Sequence, residues 1–385
     1  MSGRKIIVFL GVVFTIGVFL FLPAAASETS SYANTVYGNA NTEPAYYTER
    51  VQYTETVQYT ETVQYTETVY ANTYTEIAYE TETMYTSLYT ETVSKETATP
   101  FEPIKLTVSA AGDFTLGGDV QSQGEARFAE SYSEHTPDWY LANVADIFAE
   151  DDITVVNLEG TLTTSETRRK NRSFLFRGKP EYTDILTEGN VDVVNIANNH
   201  HNDFLSQGKT DTIAAVKNAD IGYFGYDDEY YIEKEGITFG FLGFTEWDHT
   251  ADYITERIKS AKLKCDIMIV SFHWGVERQY TPTKSQTYLG HAAVDAGADL
   301  VIGSHTHVLG EVENYNGVNI VYSLGNFCYG GHGNPSDKNT MIFQQDFEID
   351  ENGKVKISES RIIPCSISSL SWTNNFQPTP ISDKT

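Results

Sequence analysis

From about residue 104 the chain moves between two hydrophobic rhythms. Short apolar, β-branched runs that stop at a glycine or a polar cluster predict strands. They fall at Lys105–Ala111, Ile153–Leu158, Val191–Ile196, Ile221–Phe224, Ile237–Phe244, Cys265–Phe272, Asp299–Ile302 and Val318–Tyr322. Between them, apolar positions recurring at helical spacing predict helices over Trp139–Phe148, Gln207–Ala219, Tyr253–Lys264 and Ser285–Ala296. Near the end, Thr340–Ile349 and Lys354–Ile363 alternate around Glu351-Asn352-Gly353, the pattern of an antiparallel hairpin. Strand–helix alternation implies an α/β domain over residues 104–370, with helices packed on a mostly parallel sheet. Residues 371–385, rich in Thr, Asn and Pro, read as a loose tail.

Upstream, the pattern changes. Arg4-Lys5 precedes an apolar run from Ile6 to Leu22 and then Pro23-Ala24-Ala25-Ala26-Ser27. This is the layout of a secretory signal peptide over residues 1–26, cleaved after Ala26, and residues 6–22 are long enough to remain as a membrane anchor. Either way the remainder is expected outside the cytoplasm, secreted or at the cell surface. In residues 27–103, Val51-Gln52-Tyr53-Thr54-Glu55-Thr56 recurs at Val57–Thr62 and Val63–Thr68, with degenerate copies to about Val93. An even period would put Val, Tyr and Glu on one face of an extended chain. With Glu recurring and Leu and Ile scarce, a solvated, self-repelling low-complexity linker is expected. The alternative is a wall-binding or self-associating segment whose tyrosines stack on sugars.

Charge narrows the choice of partner. With 26 Lys and Arg against 53 Asp and Glu, the net charge is −27. That argues against nucleic acid and against an anionic membrane surface, but not against divalent cations. Three cysteines, Cys265, Cys328 and Cys365, lack metal-type spacing and allow one disulfide at most. Cys265 opens an apolar strand and reads as a small core residue.

The candidate chemistry lies at the strand ends, where open α/β sheets gather ligands. Successive ends supply Asp113, then Asn157 and Glu159, then Asn199 and His200, then His273, then His305 and His307, then Asn326. Carboxylates, a carboxamide and imidazoles together suit a borderline divalent metal such as Mn, Fe or Zn, as one ion or two. The rings of His305 and His307 are expected on one side of an extended strand end. Each piece alone has a plain structural reading; the conjunction is what points to a centre. Around it, Arg177 either meets an anionic substrate or forms a surface salt bridge. Glu277 is placed to orient His273 and Asp203 to orient the His200 loop. His201 and Asp119 read as bystanders.

Taken together, Gly112-Asp113, Asn157-Leu158-Glu159-Gly160, Ala197-Asn198-Asn199-His200, Phe272-His273-Trp274-Gly275-Val276-Glu277, Gly303-Ser304-His305-Thr306-His307 and Ser323-Leu324-Gly325-Asn326-Phe327 resemble the CapA family. These are bacterial poly-γ-glutamate capsule synthesis proteins within the calcineurin-like metallophosphatase superfamily. The resemblance spans about Ile104 to Ile367. It implies a four-layer α/β/β/α metallophosphatase-like sandwich and a role in making or exporting poly-γ-glutamate or a related surface polymer. Carried over residue by residue, it makes Asp113, Glu159, Asn199, His273, His305 and His307 metal ligands, and His200 the proton donor to a leaving group. Asn157 and Asn326 support them. Two positions depart from the superfamily: Asp113-Phe114-Thr115 lacks the histidine of Asp-any-His, and Glu159 stands where an Asp is usual. Two functions remain open. One is a metal-dependent hydrolase or transferase acting on an anionic cell-surface polymer or its precursor. The other is a non-catalytic accessory subunit of a membrane-bound capsule synthase or export complex.

Overall fold

The structure, a computed structural model, describes residues 55–57, 91–93 and 103–381. The expected signal peptide or anchor of residues 1–26 lies outside the described residues, as does most of the repeat segment. Within that segment Glu55–Val57 pairs antiparallel with Glu91–Val93. Residues 100–385 form a unit of their own.

In chain order the strands of that unit are β1 (Ile104–Thr115), β2 (Ile153–Leu158), β3 (Val193–Asn195), β4 (Gly222–Phe224), β5 (Tyr230–Lys234), β6 (Ile237–Thr245), β7 (Ile267–His273), β8 (Leu300–Ser304), β9 (Val312–Tyr315), β10 (Val318–Val321), β11 (Asn326–Tyr329), β12 (Asn339–Ile349), β13 (Val355–Ser366) and β14 (Thr379–Pro380). The helices are α1 (Gly124–Glu134), α2 (Pro137–Leu141), α3 (Ala145–Ala149), α4 (Thr183–Glu188), α5 (Leu205–Asn218), α6 (Ala251–Lys262) and α7 (Lys284–Asp295). One sheet has the order β14-β13-β12-β1-β2-β3-β4, with β11 also parallel to β1; the other has the order β5-β6-β7-β8-β10-β9. Gly118–Asp119, Thr161–Leu162 and Phe176–Gly178 add a small separate sheet.

Side-chain alternation explains why the strands read as unbroken apolar runs. Ile267 and Ile269 of β7 enter a core shared by both sheets, where Val108, Val155 and Phe343 come from the facing strands. Met268, Val270 and Phe272 of the same strand point the other way, onto Ile254, Ile258 and Leu289 of α6 and α7. In the first sheet, Val155 and Val193 face the shared core, while Val156 and Val194 meet Phe128, Leu141, Ile185 and Val216 of the opposite helices. Strands covered on both faces need no polar alternation. The layers therefore run helices, sheet, sheet, helices.

Two expectations are corrected, and one helix is added. The single helix predicted over Trp139–Phe148 is two short helices, because Val144 leaves helical backbone with φ −129° and ψ −8°. That break lets Tyr140, Leu141, Val144 and Phe148 all reach one core. Helix α1 has no counterpart in the prediction: only Gly124 and Phe128 of its eleven residues are buried, too few to set a period. The tail expected to be loose from residue 371 instead packs through Phe376, whose ring centroid lies 5.0 Å from that of Phe128. Asn374 also donates to the Tyr329 carbonyl at 2.7 Å, and β14 pairs with β13. One aromatic and a few side-chain bonds leave no periodic trace in sequence. All three cysteines are free thiols, within the limit of one disulfide that their number allowed. Among the described residues no helix is long and apolar enough to cross a membrane.

The central strands of both sheets are parallel, which brings their carboxyl ends to one edge. There Asp113 donates its backbone N–H to the Gly325 carbonyl at 2.9 Å. A Cβ on Gly112 would stand 1.9 Å from that carbonyl oxygen, so only glycine permits the contact.

If the tail is part of the core, Phe376→Ala should lower unfolding free energy by about 3 kcal/mol, read from urea midpoints at constant slope. An unchanged midpoint would show that the tail contributes nothing.

Candidate metal centre

The centre begins with three polar residues that close three apolar strands in register. Asp113 on β1 pairs with Asn157 on β2, and Asn157 with Asn195 on β3. Asn195 Nδ2 donates to Asn157 Oδ1 at 2.8 Å, and Asn157 Nδ2 donates to Asp113 Oδ1 at 2.8 Å. Asn157 Nδ2 also lies 3.2 Å from His273 Nδ1. This chain of amides fixes the Asp113 carboxylate and the His273 ring together.

The histidine loop differs from its expected form. Strand β8 ends at Ser304, and His305 and His307 both take left-handed backbone, with φ of 90° and 57°. Such residues cost roughly 1–3 kcal/mol each and persist where surrounding contacts impose them. The rings do not sit side by side on an extended strand; they divide. His305 Nδ1 lies 3.1 Å from His273 Nε2, which in turn lies 2.9 Å from Asn199 Oδ1. His307 Nδ1 lies 3.2 Å from Asp113 Oδ2 and 2.8 Å from Asn326 Oδ1.

Glu159 stands between the two groups. It is buried, and its Oε2 accepts from the Thr115 hydroxyl at 3.2 Å. Its Oε1 has no hydrogen-bond partner. That oxygen faces His273 Nε2 at 3.7 Å, His307 Nε2 at 3.8 Å and His200 Nε2 at 4.0 Å. Donor atoms of Asp113, Glu159 and His307 all fall within 4.8 Å of one another. Ligands held at roughly 2.1 Å from one ion stand about 3 to 4 Å apart, so the spacing fits a shared divalent cation. The donor set, mixed carboxylate, carboxamide and imidazole, fits Mn, Fe or Zn equally.

Electrostatics point the same way. Burial pushes the Glu159 carboxyl up to about 7, with the His307 charge holding it back. Burial would depress His307, but Glu159 and Asp113 override it and raise that ring to about 10. Burial and the His307 charge lower His305 to about 4, and burial drives His273 well below the usual imidazole range. In the ion-free protein a proton on His307 thus supplies positive charge to the carboxylates.

His200 completes the site from the other side. Its Nδ1 lies 2.7 Å from Asp203 Oδ2, and the Phe176 ring packs 4.2 Å from its own. Asp203 is pinned by the Phe176 N–H at 2.8 Å, as expected of a residue that orients this loop. His200, His307, Asn326 and Tyr329 line a cavity of about 370 Å³.

Of two supporting roles, Arg177 takes the second of its two alternatives and Glu277 is corrected. Arg177 bonds Glu125 at 2.7 Å and Glu166 at 2.9 Å, so its guanidinium serves salt bridges and not a substrate. Glu277 does not hold His273: the left-handed Gly275 (φ 85°) turns the chain outward and leaves Glu277 exposed. Asp119 is structural, accepting the Leu175 N–H at 3.0 Å, and His201 lies 2.7 Å from the Asn198 carbonyl. Asn195, Asn198, Trp247 and Tyr329 were not foreseen. Asn195 carries a readable signal, as the polar close of an apolar strand. Asn198 Oδ1 accepts the His200 N–H at 3.0 Å. Trp247, set edge-on 4.9 Å from His305, sits in a loop with no pattern.

Residues 107–330 match the family described as "Bacterial capsule synthesis protein PGA_cap". The "PGA biosynthesis protein CapA" of Bacillus subtilis (strain 168) is 32% identical over 248 residues, 58% of this chain and 63% of its own length. The "Capsule biosynthesis protein CapA" of Bacillus anthracis is 27% identical over 292 residues, 68% of each. A "Probable polyglutamine synthesis accessory protein" of Mycobacterium tuberculosis is 27% identical over 298 residues, 60% of this chain and 77% of its own. The chain thus spans less than two thirds of the Bacillus subtilis relative.

Because His307 holds its proton up to about 10, a cation must displace it. Affinity for Mn or Zn should therefore rise as pH rises from about 6 to about 9, with proton release on binding. Calorimetry in buffers of different ionisation enthalpy measures both; affinity flat across that range would contradict the assignment.

Proposed function

We propose, for a chain that belongs to the bacterial capsule synthesis protein family PGA_cap, an exported, metal-dependent hydrolase acting on poly-γ-glutamate or a related cell-surface polymer. The observation that carries this reading is the unpartnered Glu159 Oε1 ringed by three imidazoles, next to an Asp203-held His200. The helix–sheet–sheet–helix layering supports a metallophosphatase-like sandwich. Its partners in this reading are the anionic polymer or its precursor and the membrane-bound synthase or export components of the cell surface.

Asp113, Glu159, Asn199, His273, His305 and His307 would hold the ion. Once bound, it would polarise a carbonyl or phosphoryl oxygen as a Lewis acid. The other steps belong to the chain. In this reading His200 is held through Nδ1 by Asp203 and turns Nε2 toward the leaving nitrogen or oxygen, to which it would give a proton as general acid. Asp203 fixes the ring and stabilises its charge, as in other carboxylate–imidazole pairs. Phe176 covers one face of the ring and keeps it from turning. Asn157 and Asn326 hold Asp113 and His307 in their rotamers.

One observation favours the accessory reading. Thr115, where the resemblance expects a histidine ligand, spends its hydroxyl on Glu159 Oε2. A centre with fewer ligands suits binding as well as turnover.

Purified protein should retain a transition metal after desalting, and His305→Ala should lose it. Metal-loaded protein should cleave a phosphodiester or a γ-glutamyl polymer. His200→Ala should reduce that rate by about 10²–10⁴ with metal content intact. Metal retention with no turnover in the wild type selects the accessory role; a metal-free wild type sinks both.

A further inference from the structure

The donors of the centre are not equally open. His307 and Asn326 line the cavity of about 370 Å³ beside His200, whereas Asn199, His273 and His305 have no part in its wall. Both His273 and His305 are buried. Trp247 covers them from the side opposite the cavity's histidine. Its ring centroid lies 4.9 Å from that of His305 at 75°, and 6.4 Å from that of His273 at 72°. Near-perpendicular aromatic pairs at such distances attract each other. Among the described residues, the other rings paired with His305 are His273 and His307, themselves candidate ligands.

The chain on either side imposes this placement. Trp247 is half exposed, whereas Trp274 is buried, stacks on Phe272 at 4.4 Å and donates to the Tyr322 carbonyl at 2.9 Å. Thr245 closes β6 opposite His273 in register, so the loop carrying Trp247 starts level with the ligand strand. The Thr245 hydroxyl donates to Asp248 Oδ2 at 2.6 Å. His249 stacks on Tyr253 at 4.4 Å, and Thr250 caps α6 by accepting the Tyr253 N–H at 3.3 Å. Trp247 therefore stands in the middle of a short turn fixed at both ends. His305 has need of such a neighbour. Its backbone is left-handed (φ 90°), and its N–H reaches Asp113 Oδ2 only at 3.4 Å. Packing against Trp247 restricts the turn of the ring about its side-chain bonds.

We propose that Trp247 is a positioning residue for the metal centre. It holds the His305 ring toward His273 and shuts water out of that half, so that an ion enters and leaves through the cavity at His307. The proposal rests on the metal reading above and adds a residue that binds no ion itself. Groups that orient ligands and exclude solvent around a metal site are worth about 10- to 100-fold in affinity.

The test loads the full chain with Zn(II) or Co(II), follows release to excess EDTA, and records the visible spectrum of the Co(II) form. Trp247→Ala should release Zn(II) at least about tenfold faster. Its Co(II) spectrum should change as water reaches the ion, a signature that loss of fold stability alone does not give. Trp247→Phe, which keeps an aromatic ring, should stay near wild type in both readouts. Trp372→Ala, which removes an exposed indole away from the centre, should alter neither. Should Trp247→Ala fail to fold, Trp247→Leu, which keeps bulk without the ring, carries the same expectation. Release at the wild-type rate with an unchanged spectrum overturns the positioning role and leaves the metal centre standing. So does Trp247→Phe releasing as fast as Trp247→Ala. Wild type that holds neither ion overturns the metal reading and this role together.

Discussion

Glu159 is sealed from water, and one of its oxygens accepts nothing. A carboxylate in such surroundings is costly unless positive charge stands beside it. Much of the centre can be read as the answer to that problem. The three imidazoles converge on the unpartnered oxygen, His307 takes up a proton where ordinary histidine would not, and Thr115 satisfies the other oxygen. The left-handed backbone at His305 and His307 is the geometric counterpart: without it, the two rings could not divide between the His273 side and the Asp113 side of Glu159.

The strands and the polar residues that cluster at their ends were legible in the sequence for one reason. Strands buried on both faces must be apolar throughout, so a polar residue at the end of such a run, as at Asp113, Asn157 or His273, stands out. The register between strands was not legible, and with it went the amide chain from Asn195 to Asp113, which depends on neighbours from separate segments. Arg177 could not be assigned because its partners, Glu125 and Glu166, are eleven and more residues away and carry no pattern of their own. Glu277 was misplaced by proximity in sequence: two residues after His273 the chain turns at a left-handed glycine, so nearness along the chain does not become nearness in space. Phe376 shows the opposite error, where a single aromatic in a polar tail reaches a core assembled far upstream.

Thr115 and Glu159 stand at two separate positions in sequence, each a departure from the motif that the resemblance implies. In the structure they are one feature, a hydroxyl and a carboxylate joined at 3.2 Å. The longer glutamate and the shorter threonine compensate each other: the extra methylene carries the carboxylate while the hydroxyl takes one of its oxygens. Departures that couple in this way are better understood as a rebuilt half-site than as two losses.

The contact between the Asp113 N–H and the Gly325 carbonyl joins the first strand of the domain to a loop near its end. Asp113 and His305 likewise meet across 192 residues of sequence. Contacts of such long range form late, after the intervening chain has been ordered, because loop closure must come first. The full candidate set therefore comes together only after the last third of the domain has joined the first strand. Any ion it takes up is drawn from the surroundings in which folding finishes, not from those in which synthesis begins.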